Sequence, residues 1–185
     1  MLDDIPTDPW TEAEYLALGE TANRIELIDG GLWVSPAPNK PHQWITGRLL
    51  IVLDMATEIA GLQTFPTINV RLAAGRIVIP DLVVASTDPL GDVTDAKEII
   101  LVAEITSPSN AVSDRVTKMH LYAAARIEWY LLVEPDMRDY QSIRLSLFRL
   151  QGEHYVPDAI AEHGETLSIT NPFPLEVDTA RLLHR

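Results

Sequence analysis

Ile77-Val78-Ile79-Pro80-Asp81-Leu82-Val83-Val84-Ala85 and, further on, Ile99-Ile100-Leu101-Val102-Ala103-Glu104-Ile105-Thr106 decide the fold. Both are nearly continuous runs of β-branched and leucine residues, the pattern of strands buried on both faces. Each run carries one acid, Asp81 or Glu104. A buried lone carboxylate is costly unless it is paired, hydrogen-bonded or bound to metal. Two of them on adjacent strands repel each other unless a cation lies between, so Asp81→Asn is expected to relieve the metal-free protein. Magnesium or manganese suits such a pair, since the hard ion takes one or two carboxylates plus waters and a phosphate oxygen. The ion can orient and acidify a water for in-line attack on phosphorus. Strand alternation puts Glu104 and Thr106 on one face and Ile105 on the other, although the Ile105 carbonyl can still turn toward the ion. The plainer reading has Asp81 paired with an arginine at a sheet edge and Glu104 capping the turn at 107–110. For one acid that reading is preferred; two acids in consecutive apolar strands favour a site.

Working outward, Thr11 with Glu14 three residues later forms a capping box for a short helix near 9–16. Asp29-Gly30, between the runs 24–28 and 32–35, signals a type I′ hairpin, and Gly31 leaves a three-residue bulged variant open. A helix is expected over 42–60, with Ile45, Leu49, Val52, Ala56 and Ile59 as its apolar stripe and Gly61 ending it. Strands are expected at 68–72, 77–85 and 99–105. A helix over 111–125 then shows Val112, Val116, Met119 and Ala123 as its stripe. Residues 127–134 read as another buried strand, and 143–147 turns at Gly152 into 154–156 as an antiparallel pair. Residues 166–169 form a last strand candidate. The order predicts an α/β layer fold around one mixed sheet.

The helix after Glu104 carries Asp114, Lys118 and Tyr122 at i, i+4 and i+8, on one stripe. By itself Asp114–Lys118 reads as an exposed ion pair worth a few tenths of a kcal/mol. Yet Lys40, Lys97 and Lys118 are the only lysines, and Lys118 alone lies on a helical stripe near the acids. His42, at the head of the long helix, either touches a phosphate or positions water, or simply hydrogen-bonds nearby backbone.

Composition excludes several classes. The 185 residues make about one domain's worth, so a single domain over 1–185 is expected. Hydrophobic residues at 46% and charged ones at 22% argue against a disordered chain. A net charge of −13 argues against coating nucleic acid by bulk charge. The absence of cysteine removes disulfides, thiolate zinc sites and cysteine nucleophiles. The start carries Asp3, Asp4 and Asp8 and no basic residue, unlike a secretory signal, and no run reaches the roughly 18 apolar residues of a membrane span. A cytoplasmic protein with no membrane partner is expected. No H-E-x-x-H or G-x-x-x-x-G-K pattern occurs. The four tryptophans, Trp10, Trp33, Trp44 and Trp129, read as core residues rather than base-stacking platforms.

Seven motifs occur in order: Glu26-Leu27-Ile28-Asp29-Gly30, Ser35-Pro36-Ala37-Pro38, His42-Gln43, Pro80-Asp81-Leu82-Val83-Val84, Glu104-Ile105-Thr106-Ser107-Pro108-Ser109, Asp114-Arg115 with Lys118 and Tyr122, and Glu128-Trp129-Tyr130. Together they resemble the Uma-two family, classed as endonucleases, a branch of the PD-(D/E)XK restriction-endonuclease-like superfamily. The resemblance covers nearly the whole chain. It implies a restriction-endonuclease-like α/β fold: a central mixed β-sheet flanked by helices, with the N-terminal hairpin and C-terminal antiparallel strands. It also implies a divalent-metal phosphodiesterase site acting on nucleic acid, DNA first, and it is compatible with a homodimer. Carried over, Asp81 matches the signature aspartate, Glu104 the second acid and Glu26 a recurrent acid on the first hairpin. Asp81, Glu104 and the Ile105 carbonyl would hold Mg2+ or Mn2+; His42 and Tyr122 would be accessory, toward substrate. One residue departs from the signature, which wants lysine where Thr106 stands. The resemblance implies that the lysine has migrated to the following helix as Lys118, which can act only if its amine reaches Glu104. Thr106 and the net charge favour the alternative of a catalytically idle nuclease fold serving binding or assembly. A glycosidase-like carboxylate pair is a third reading, and 6% aromatic residues offer little for a sugar cleft.

Overall fold

The computed structural model describes residues 8–19, 21–107 and 113–183, without the side chains of 113–115. Thr11 caps α1 (Glu12–Leu16): its hydroxyl accepts from the Glu14 amide, and the Glu14 carboxylate accepts the Thr11 N–H. β1 (Arg24–Ile28) and β2 (Gly31–Ser35) form the expected hairpin. Ile28 pairs with Gly31, so the loop is Asp29-Gly30 alone, with φ of 52° and 82°. That is the type I′ solution, not the bulged one. A Cβ at Gly30 would also collide with Pro9.

α2 (Lys40–Ile59) starts two residues before the expected 42 because Asn39 caps it, accepting from the His42 amide, with Pro41 in the first turn. Its buried face is Ile45, Leu49, Leu53 and Thr57 together with His42. The expected stripe drifts off that face: Val52 and Ala56 are half-buried and Ile59 is 91% exposed.

β3 (Gln63–Pro66) and β4 (Asn69–Ala73) follow. The stretch 77–85, expected as one strand, is two. β5 (Arg76–Val78) and β6 (Leu82–Ala85) lie in different sheets. Pro80 has no N–H to give a ladder, and the chain crosses between sheets at Ile79, Pro80 and Asp81. Asp81 therefore stands at the entrance to β6, not within a strand. β7 (Val93–Asp95) and β8 (Ile99–Ile105) come next. Of the helix expected at 111–125, 111–112 lie outside the described residues. A π-helical segment (Ser113–Lys118) then leads into α3 (Met119–Ala124). Its inward residues are Lys118, Tyr122 and Ala123, whereas Val116, expected inside, is 54% exposed. The remaining strands are β9 (Trp129–Pro135), β10 (Ile143–Gln151), β11 (His154–Ala161), β12 (Thr166–Ile169) and β13 (Leu175–Asp178).

The main sheet has the order β11-β10-β9-β8-β6-β3. It is mixed: β8 and β9 run parallel and its other pairs antiparallel. A second sheet, β2-β1-β5-β4-β7, carries the hairpin, and β12-β13 form a small third one. Strand alternation sorts the main sheet's residues onto two faces. Leu82, Val84, Leu101, Ala103 and Ile105 face Ile45, Leu49 and Leu53 of α2. Val83, Ala85, Val102, Tyr130 and Leu132 face Tyr122 of α3 and the second sheet's Val70, Leu72 and Val78. By the same alternation Glu104 lies on this second face, between sheets. Trp129 is buried in the core, but Trp33 and Trp44 are substantially exposed, contrary to their expected core placement. Among the described residues no helix is long and apolar enough to cross a membrane.

Candidate active site

The break between β5 and β6 creates the site. It frees the Ile79 N–H, and Glu26 Oε1 accepts it at 2.8 Å. Leu27 faces Tyr15 and Ile77 in a small core of its own, so alternation turns Arg24 and Glu26 the other way, toward the acids. Arg24 Nη2 lies 2.9 Å from Asp81 Oδ1. Asp81 Oδ2 accepts the Ile105 N–H at 2.8 Å and faces His42 Nε2 at 3.1 Å. His42 reaches it from the first turn of α2, with its other ring nitrogen 3.4 Å from Thr46 Oγ1. Glu104 is completely buried. Its Oε1 is 3.0 Å from Lys118 Nζ and accepts the Tyr122 hydroxyl. Lys118 Nζ also lies 3.4 Å from Glu26 Oε1.

The two signature acids sit in opposite electrostatic conditions. Burial works against ionising Asp81, but the His42 hydrogen bond, the Arg24 charge and the Ile105 amide prevail and hold its carboxyl well below the usual range. Burial pushes Glu104 up; the Asp81 charge adds to the rise, and Lys118, Arg24 and Tyr122 only partly oppose it. Burial also works against the Arg24 charge, and the carboxylates of Asp81, Glu104 and Glu26 more than offset it. Tyr122 is driven well above its ordinary pKa by burial and by Glu104, so its hydroxyl stays a donor.

Every carried-over site residue thus falls in one buried cluster: Glu26, Asp81, Glu104, Lys118, Tyr122 and His42. Ile105 enters it through its amide. Lys118 is buried between Glu104 and Glu26, not spread on a surface with Asp114, whose side chain lies outside the described residues. The position of the signature lysine holds a buried Thr106, whose amide and hydroxyl both face the Val133 carbonyl. The plainer reading, Asp81 paired with an arginine, is met by Arg24, a residue that sequence reasoning did not name. Its signal was present, since a cation two residues before Glu26 in an apolar strand must share that acid's face.

The donor set fits a hard divalent ion. Among the described residues Glu104 Oε2 is buried with no hydrogen-bond partner, a state that a cation would relieve. Among the described residues no three acids or histidines form a ready metal cluster; the donors are a carboxylate pair, sufficient for magnesium when waters and phosphate complete its shell. An open cleft of about 820 Å3 reaches Arg24, His42 and Asp81 from outside.

A central mixed sheet flanked by helices, with two acids at neighbouring strands, is the architecture of restriction-endonuclease-like proteins. Over residues 12–181 the chain matches the family model described as "Uma2: Putative restriction endonuclease", and it belongs to that family. Among solved structures it is similar to one described as "a putative nuclease belonging to DUF820 from Anabaena variabilis". The two share 18% identity over 94% of this chain and 97% of that one, with a TM-score of 0.72, a likeness of fold. Comparison with curated proteins finds no match.

Proposed function

We propose that this protein is a metal-dependent nuclease that hydrolyses phosphodiester bonds in DNA, with Asp81 and Glu104 as ligands of Mg2+ or Mn2+ and the Ile105 carbonyl as a third donor. The observation that carries this reading is the Glu104 carboxylate: one oxygen is fixed by Lys118 and Tyr122, and the other is buried without a partner among the described residues. The ion would supply Lewis acidity and a water acidified for in-line attack on phosphorus. Lys118 supplies positive charge where negative charge develops on the phosphate. Tyr122 holds the Glu104 carboxylate in place, His42 does the same for Asp81, and Glu26 holds Lys118 from its far side. Domain organisation follows: one domain over 1–185, active in the cytoplasm.

With a net charge of −13, binding to duplex DNA is expected to be weak, at roughly micromolar affinity or worse at physiological salt, and to strengthen with the divalent ion. Single-turnover cleavage of labelled DNA over a manganese series tests the reading. Cleavage that requires the ion and is lost in Asp81→Asn supports it. The buried Thr106 favours the idle-fold alternative. That alternative prevails if manganese neither promotes cleavage of DNA or RNA nor raises the melting temperature.

The reading includes a homodimer. The outer face of α2 exposes Trp44, Ile51, Met55 and Ile59. An antiparallel two-fold through Ile51 would set Arg48 against Asp54 of the second copy and Met55 over Gly47, where a side chain would meet open space. Ile51→Lys should then sediment as a monomer where the wild type does not; equal sedimentation of the two as monomers refutes this arrangement.

A further inference from the structure

Among the described residues Arg24 is the half-buried cation of the cluster that the proposed chemistry leaves without a task. Its side chain is 16% exposed, its guanidinium touches Asp81, and it feels the carboxylates of Asp81, Glu104 and Glu26 together. A monovalent cation belonging to the protein therefore stands where a divalent one would be held. The contact pattern at Asp81 sharpens the conflict. Oδ2 already accepts Ile105 and His42, whereas Oδ1 has Arg24 as its sole partner among the described residues. Oδ1 is thus the oxygen a metal would take, and to take it the metal must dislodge Arg24.

Arg24 also has somewhere to go. It lines the open cleft beside Asp81 and His42. Only Nη2 is hydrogen-bonded among the described residues, so the planar fork keeps donors suited to two oxygens of a phosphate. Resting on the metal-dependent reading above, we propose that Arg24 is a resident counter-ion that guards Asp81 until a substrate phosphodiester draws it off. Metal and phosphate binding are then coupled through one side chain. Without substrate the guanidinium neutralises Asp81 and weakens metal binding. With phosphate in the cleft the guanidinium turns to it, and Oδ1 becomes free for the ion. Linkage makes the effect reciprocal: phosphate tightens metal by the factor by which metal tightens phosphate.

The experiment is calorimetric titration of the full chain with Mn2+, with and without saturating dimethyl phosphate, a diester with no base or sugar. The wild type should bind manganese about fivefold or more tightly when the diester is present. Arg24→Gln should bind manganese tightly without it, by roughly tenfold relative to wild type, because a competing positive charge is gone, and the diester should add nothing. Arg24→Lys keeps the charge but not the fork, so its manganese affinity should stay near wild type without the diester and the coupling should weaken. Equal manganese affinity in wild type and Arg24→Gln overturns the proposal, as does coupling that survives in Arg24→Gln. If Arg24→Gln does not fold, an uncoupled wild type overturns it alone. Absence of manganese binding in every form removes the metal-dependent reading itself, a result distinct from binding without coupling.

Discussion

Among the described residues Asp81 receives donors from three separate elements, whereas Glu104, on the neighbouring strand, receives two donors, and both fall on the same oxygen. The contrast continues in their protonation: Asp81 is held far below its ordinary range, and Glu104 is pushed above its own. Burial is nearly equal at the two positions, so burial does not explain the difference. What differs is how many N–H and O–H groups the fold brings. The break at Pro80 lets Asp81 reach the backbone of β8, the head of α2 and the hairpin at once. Glu104 sits inside β8, and among the described residues its donors come from the helix that follows. Among the described residues one acid of the pair therefore has partners on both oxygens, and the other on one oxygen alone.

The largest effect should come from the residue that supports the weaker half. Lys118→Met leaves Glu104 buried without its nearest cation, a change that costs about 3–5 kcal/mol when a buried pair is broken from one side. On the proposed reading it also lowers single-turnover cleavage by roughly two orders of magnitude or more. Both are measurable on one preparation, with rates taken at a temperature where circular dichroism shows the variant folded. Lys97, 80% exposed and 4.0 Å from Asp95, is the control: Lys97→Ala should be nearly silent in both. Full cleavage in Lys118→Met would end the migrated-lysine mechanism, and unchanged stability would show that Glu104 does not depend on that ion pair.

Asp81→Asn should act on stability in the direction opposite to the one repulsion between two acids suggests. In the folded protein the Asp81 charge is answered by Arg24, so removing it strands a half-buried guanidinium beside the cleft. A loss of about 3 kcal/mol at pH 7 is expected, read by urea unfolding. The folded pKa lies below the ordinary 3.8. The stabilisation is therefore complete above roughly pH 5 and fades as acid protonates the carboxylate, first in the unfolded chain. The gap between wild type and variant should narrow below that pH. A variant as stable as wild type at neutrality would erase the contrast between the two acids.

Most of this arrangement was legible in the sequence where local chemistry decides it. The Thr11–Glu14 box, the Asp29-Gly30 turn and the 3.6-residue spacing of Asp114, Lys118 and Tyr122 each act within a few residues. Of those three, the spacing puts Lys118 and Tyr122 on one stripe but by itself favours an exposed Asp114–Lys118 pair; the turn of Lys118 toward Glu104 is implied by the family resemblance. What was not legible depends on partners far along the chain. Pro80 inside an apolar run looked like one strand because apolar residues serve either sheet equally well. Only tertiary pairing, β5 with β1 and β6 with β8, separates them. Arg24 answers an acid 57 residues away. Val116 and Ile59 fit a helical period, yet they lie on faces that no other described element covers closely enough to bury them.

The smallest effect, and the one that isolates the half-partnered acid, is the pH dependence of Glu104→Gln. In wild type the folded pKa of Glu104 lies above its ordinary 4.5, because burial and Asp81 disfavour the charged form more than Lys118, Arg24 and Tyr122 favour it. Between those two values the folded state holds a proton that the unfolded chain has already released. Wild-type stability from this group must therefore fall as pH rises from 4.5 through the folded pKa, and stay low above it. Glutamine keeps an oxygen for the Tyr122 hydroxyl and carries no charge to titrate. It gives up the ion pair with Lys118, which retains Glu26 at 3.4 Å. The variant's stability relative to wild type should improve steadily as pH rises from 4.5 toward 8, measured by thermal unfolding in chelator. Adding manganese should reverse the comparison: wild type gains by binding the ion, and Glu104→Gln, with a neutral amide in place of the free oxygen, gains little. A relative stability that does not change with pH would show that Glu104 is as well satisfied as Asp81, and would take away the site's claim to a missing cation.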